Sequence, residues 1–259
     1  MTRLVRAELL KLRSTNAWWL LLGLALAYCL LATGAFALAG SRGGDSPDLH
    51  SATGLGVVYG WVSQAYAFTL ILGVLGVTTE YRHMTITATL LAVPRRGRLL
   101  LAKLLAYLVA GFVYAVVIVG VTFGFAAAVL SVRGLPVTAP GLDLPQIMLG
   151  GVLTITLYAP MGLAVGALVR NQVAAIVGTL IYFWWVETLL IFLLPAVGRW
   201  LPGGAAQAML HLDLASMAGG RGAPGGGLLS WWAGAGVFIG YAALLTALGG
   251  RVTMRRDVT

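Results

Sequence analysis

Charge is what this sequence has least of: 10% of its 259 residues are Asp, Glu, Lys or Arg, against 59% hydrophobic. A water-soluble domain of this length could not cover its surface with so few polar groups. Cysteine is nearly missing as well. Cys29 stands alone inside an apolar run, which excludes an intrachain disulfide and a cysteine metal cluster. The histidines, His50, His83 and His211, are isolated from one another and from carboxylate pairs at ligand spacing, so no metal site is expected of them. None lies within an apolar run, which removes the base that a membrane-embedded serine hydrolase would need. Neither Lys11 nor Lys103 follows a glycine, so G-x-x-x-x-G-K-S/T does not occur and the chain has no P-loop phosphate cradle.

What is present is apolar length. Mean hydropathy is +0.92, and six runs are each long enough to cross a hydrocarbon core about 30 Å thick. They are Ala17–Ala39, Val57–Thr78, Leu99–Val132, Leu144–Val169, Val173–Leu194 and Leu228–Gly249. Backbone polar groups in lipid must be satisfied within the segment, so these runs are expected as helices. Leu99–Val132 is overlong for one crossing and is expected to tilt or to extend past the lipid. Ala17–Ala39 is too long for a signal-peptide core and is expected as a retained first span.

The net charge of +9 is distributed as loop charge, so no nucleic-acid partner is expected. Arg3, Arg6, Lys11 and Arg13, then Arg82, Arg95, Arg96, Arg98 and Lys103, then Arg170, then Arg251, Arg255 and Arg256 fall on one side of a six-span topology. That is thirteen of the 17 basic residues. Both termini are therefore expected in the cytoplasm. The predominance of Arg over Lys, with abundant Ala, Gly and Leu, points to a bacterial protein and so to the bacterial plasma membrane. Within Thr2–Thr15, Val5, Leu9 and Leu12 share a helical face opposite Arg3, Arg6 and Arg13, the form of a helix lying in the membrane interface.

The expected fold class is thus all-α and integral to the membrane. An amphipathic interfacial helix (1–16) precedes a six-helix transmembrane domain (17–250) and a cytoplasmic tail (251–259). Residues 195–227 are too long for a tight connection; Gly–Pro punctuation flanks a helical stretch, Ala205–Met217, expected to dip back towards the bilayer under cover of protein. Three G-x-x-x-G pairs, Gly120/Gly124, Gly162/Gly166 and Gly236/Gly240, favour close helix packing without specifying a dimer face.

Glu187 is the one acidic residue well inside an apolar run. A charged carboxylate at bilayer depth costs on the order of 3 kcal/mol, so it should face the protein interior or be protonated. Two readings stand: a polar contact in a substrate path or subunit interface, together with Gln64, Trp184 and Trp185, or a carboxylate that reaches outer headgroups or pairs locally with the external loop.

The cytoplasmic segment 79–98 is longer and less polar than a plain turn. Glu80, Tyr81, Arg82 and His83 precede a Thr- and Leu-rich stretch, then Pro94 and an arginine cluster. On physics alone, lipid anchoring and partner docking are comparable uses for it. The segment resembles the first cytoplasmic loop of the type-2 ABC transporter permease family, which covers drug, bacteriocin-immunity and polysaccharide exporters. Glu80, Arg82, Thr85, Leu90, Leu91, Pro94, Arg95, Arg96 and Lys103 match that loop, whereas Met84 stands where glycine is usual. Arg6–Ala7–Glu8–Leu9–Leu10–Lys11–Leu12–Arg13 and Leu201–Pro202–Gly203–Gly204–Ala205 also resemble family segments.

The resemblance implies a permease that pairs with a second copy and with cytoplasmic ABC ATPase subunits, which would bind ATP and Mg; the chain itself needs no cofactor. A coupling helix would use Glu80, Tyr81, Arg82, His83, Thr85, Pro94, Arg95, Arg96 and Arg98. Arg170 and Asn171 would form a second contact. The substrate path would run near the second and fifth spans, with a lipophilic or amphiphilic cargo moved outwards. The competing expectation is a stand-alone secondary transporter or channel, which needs ionisable groups at mid-membrane depth; only Glu187 qualifies.

Overall fold

The computed structural model describes residues 1–39, 48–83, 96–169, 171–210 and 227–255. Thr85, Pro94, Arg95, Arg170 and the stretch 211–217 fall outside them. Every regular element among the described residues is a helix. In chain order these are α1 (Thr2–Ser14), α2 (Ala17–Ala39), α3 (Ala52–Arg82), α4 (Arg96–Val132) and α5 (Leu144–Leu168). They continue with α6 (Gln172–Leu193), α7 (Pro195–Gly198), α8 (Pro202–Leu210) and α9 (Trp231–Arg255). Six of them, α2 to α6 and α9, are long and apolar enough to cross a membrane.

Local chemistry sets the boundaries. The side chains of Ser51, Asp143 and Asn171 accept from the backbone N–H groups of Gly54, Gln146 and Ala174, capping α3, α5 and α6 at their first turns. Ser51 explains why α3 begins before the expected Val57. The connection from α4 to α5 turns at Gly134 and Gly141, with φ of 67° and 87°, a left-handed backbone that side chains with a Cβ resist. At 37 residues α4 is about 55 Å long at 1.5 Å per residue, well beyond the hydrocarbon thickness. α9 continues to Arg255, so the expected tail begins as helix.

The core forms around α5, which packs on α3, α4 and α9. In the most apolar window of α3 and of α5, 67% of residues are buried, against 17% in α6, so α6 is largely a surface helix of this single chain. Glycine permits the central contact. A methyl group at Gly73 would overlap the Ala159 carbonyl, and one at Gly162 would overlap the Leu70 carbonyl, so α3 and α5 touch backbone to backbone. Of the three G-x-x-x-G pairs only Gly162/Gly166 is used this way. Gly120, Gly124, Gly236 and Gly240 face open space. Outside this seam α4 is tied to α2, with the Tyr114 hydroxyl donating to the Trp18 carbonyl and Arg133 Nη1 to that of Ala37.

Candidate functional site

Two places gather polar side chains, towards opposite ends of α3. The first is a partly open cavity of about 340 Å³ lined by α2, α3, α5, α6 and α8. Both α3 and α6 leave regular geometry beside it. α3 tightens into a 3-10 turn at Trp61–Ala65, and α6 widens into a π turn at Tyr182–Val186. Such turns re-aim side chains and recur at functional positions. Here they deliver Trp61, Ser63 and Gln64 from one helix and Phe183 and Trp184 from the other to the same cavity wall.

Glu187 follows the wide turn directly. It is 2% exposed and lines the cavity. Its Oε1 accepts a 2.7 Å hydrogen bond from the backbone N–H of Gly203, in the first turn of α8. The carboxylate lies so close to the Gly203 Cα that an added Cβ would stand 2.9 Å from Oε2. Insertion of a carboxylate costs about 3 kcal/mol. A hydrogen bond to a charged group returns about 1.5–3 kcal/mol, and a helix N-terminus about 0.3–1 kcal/mol more. The cap therefore offsets most of the penalty. Glu187 thus bonds to the first turn of α8, within the segment 195–227, and also lines the cavity.

Gln64 and Trp184 line the same cavity. Trp185 does not: it is 73% exposed and points away from the protein. Sequence reasoning missed the remaining aromatic wall, made by Tyr28, Trp61, Tyr66, Tyr158 and Phe183. It also missed Thr154, a lining residue whose buried hydroxyl has no hydrogen-bond partner among the described residues. No signal distinguished these residues, because an aromatic or a threonine in an apolar run suits lipid contact or helix packing equally well.

The second place is an ionic cluster at the other end of α3. Lys103 Nζ lies 2.7 Å from Glu8 Oε2 and 2.8 Å from Glu80 Oε1, and donates to the Gly76 carbonyl at 3.2 Å. Lys11 bridges the same two acids at 2.8 and 3.1 Å. Two carboxylates thus share two ammonium groups across α1, α3 and α4. Glu8 and Lys103 are buried, whereas Lys11 is half exposed. Burial pushes the Glu8 carboxyl up, but the Lys103 charge and the hydrogen bonds from Lys103 and Lys11 outweigh it, leaving the group below its ordinary value. Burial likewise pushes Lys11 down, and its bonds to Glu8 and Glu80 carry it above the usual lysine value.

The cluster redefines α1. Leu4, Val5, Leu9 and Leu12 are partly buried, and Leu12 packs on the hydrophobic core, while Arg3, Arg6 and Arg13 are exposed. The face expected against acyl chains is turned at least partly to protein, because Glu8 sits in its middle and must reach Lys103. An acid on the apolar face of a helix was the available signal for this contact.

The remaining predicted residues lie around the cluster. Tyr81 packs on the core; Arg82, His83 and Arg98 are exposed. Arg82 Nη1 donates to Gln172 Oε1 at 3.4 Å, bringing the end of α3 to the turn where Asn171 caps α6. Arg96 lies in the first turn of α4. Among the described residues no three His, Cys, Asp or Glu side chains gather as a metal site.

Residues 4–186 match a protein-family model described as ABC-2 family transporter protein. No curated protein matches the chain.

Proposed function

The chain belongs to the ABC-2 transporter membrane family, and from that premise we propose that it is the membrane-spanning permease subunit of an ATP-driven exporter. Membership implies a membrane setting and ABC ATPase partners, and the membrane subunit of this family is normally non-catalytic. The match over residues 4–186, together with six apolar helices, carries the reading.

In this reading a separate cytoplasmic ATPase binds ATP and Mg, and its closure moves the permease through two contacts. The first is the segment after α3, with Glu80, Tyr81, Arg82, His83, Thr85, Pro94, Arg95, Arg96 and Arg98; the second is the turn at Arg170 and Asn171. The ionic cluster supports this assignment. It couples the end of α3 to α1 and α4, so a push on the loop is delivered to three helices as one rigid-body displacement. The Arg82–Gln172 bond, which joins the end of α3 to the start of α6, supports reading the two contacts as neighbours. Two permease copies pair in the bacterial plasma membrane, both termini in the cytoplasm. The path runs past Gln64, Trp184 and Glu187 and carries a lipophilic or amphiphilic cargo outwards, with Trp185 on the exposed face available to the second copy.

Co-purification tests the class: the tagged chain should bring down a soluble P-loop ATPase. Replacing Arg82, His83 and Arg98 by Ala should lower substrate-stimulated ATP hydrolysis roughly tenfold, within the range that coupling residues control, and leave membrane insertion unchanged. Transport at full rate by the purified chain without nucleotide would replace this reading with that of a secondary transporter.

A further inference from the structure

The cavity beside Glu187 has a chemical bias that the exporter reading leaves unspecified. Its walls carry six aromatic side chains, Tyr28, Trp61, Tyr66, Tyr158, Phe183 and Trp184, and its one carboxylate is Glu187. No Lys, Arg or His lines it, and no salt bridge reaches Glu187 among the described residues. The helix cap accounts for a single bond to Oε1, from Gly203. We propose that this cavity is a binding site for lipophilic monovalent organic cations, an apolar body bearing a quaternary or protonated nitrogen or a phosphonium centre. The proposal rests on the reading that the cavity lies on the transport path, and it names the class of cargo that the path selects.

Elimination supports the class. An anion entering the cavity would meet the Glu187 carboxylate with no base among the described residues to compensate it, at the low dielectric that makes such repulsion costly. A lipophilic cation meets both features at once: aromatic faces attract positive charge through their quadrupole, and the carboxylate supplies the counter-ion. The volume of about 340 Å³ falls within the range of small-molecule sites. Thr154, with a buried hydroxyl that finds no partner among the described residues, adds an acceptor on the α5 wall. The cavity also lies where α3 and α6 both depart from α geometry, so its walls are shaped by two separate irregular turns.

The bland account of Glu187 is that it caps α8 and nothing more. Glu187→Gln separates the two, because an amide oxygen still accepts from Gly203 while the charge is gone. The full-length chain in lipid nanodiscs is titrated with tetraphenylphosphonium, with tryptophan fluorescence and equilibrium dialysis as readouts. Tetraphenylborate, of the same shape and opposite charge, serves as the control. The expected result is saturable tetraphenylphosphonium binding that tetraphenylborate does not displace, weakened about tenfold or more in Glu187→Gln. Equal affinity in the variant, or equal binding of the two ions by the unaltered chain, overturns the proposal. Should the variant fail to fold, the contrast between the ions on the unaltered chain decides alone. No ATP or ATPase enters the assay. Charge-selective binding in a chain that recruits no ATPase would sink the exporter reading and keep the site, and an ATPase complex without such binding would do the reverse.

Discussion

Glu8 and Glu187 are two carboxylates hidden to nearly the same degree, at 4% and 2% exposure, and they are satisfied in opposite ways. Glu8 meets two ammonium groups, each of which also holds Glu80. Among the described residues Glu187 meets one backbone N–H at the start of a helix and no base. The difference separates a charge that fastens helices from a charge with capacity left over. A closed cluster resists rearrangement and carries force between the elements it joins; a half-satisfied carboxylate on a cavity wall can take a further partner. Burial alone would have ranked the two as equivalent.

The sharpest way to break this comparison is to open the closed cluster. Lys103→Met leaves the buried Glu8 with the half-exposed Lys11 as its ammonium partner among the described residues, so the protein should lose roughly 3 kcal/mol, the low end of the usual cost of breaking a buried pair. Thermal unfolding in detergent reads this as a lowered midpoint. The double variant Lys103→Met, Glu8→Met should recover much of the loss, since the buried charge goes with its buried partner. Single and double variants of equal stability would mean that Glu8 is solvated after all.

Glu187 should cost less to remove. Glu187→Ala forfeits the cap on α8, worth about 1 kcal/mol, whereas Glu187→Gln keeps an acceptor for Gly203 and should unfold close to the unaltered protein. A loss in both variants as large as that of Lys103→Met would show that the charge itself is structural and would erase the contrast drawn above.

The six spans were legible in the sequence because lipid demands long apolar runs, and nothing finer than length was needed to see them. The α3–α5 seam was only half legible. Gly162/Gly166 has the familiar spacing, but its partner Gly73 belongs to no such pair, and Gly120/Gly124 and Gly236/Gly240 share the spacing while facing open space. Spacing shows that close approach is possible and not which faces meet. Of the candidate path residues, Glu187 stood out as a lone acid. Trp184 and Trp185 were indistinguishable until the π turn set one against the cavity and the other outwards. Glu8 was hidden by its surroundings, since an acid among arginines reads as a local partner for them rather than as an anchor 95 residues away from Lys103.

The smallest expected effect tests whether the cluster acts as a unit. Lys11 is 47% exposed, so Lys11→Ala should cost only a few tenths to about 1 kcal/mol at neutral pH, as for other exposed pairs. Its acid response is more telling. The Glu8 carboxyl lies below its ordinary value of 4.5 in the folded protein, so it binds protons less readily than in the unfolded chain. The stability it contributes is therefore present above pH 4.5 and is lost as pH falls through the folded value. Lys11 supplies part of that depression through its hydrogen bond and charge, although Lys103 supplies more. Removing it should move the acid limb of the unfolding-midpoint curve to higher pH while leaving the neutral plateau nearly level. An unshifted acid limb would mean that Lys103 alone holds Glu8, and the base of the bundle would then be a single ion pair with a bystander.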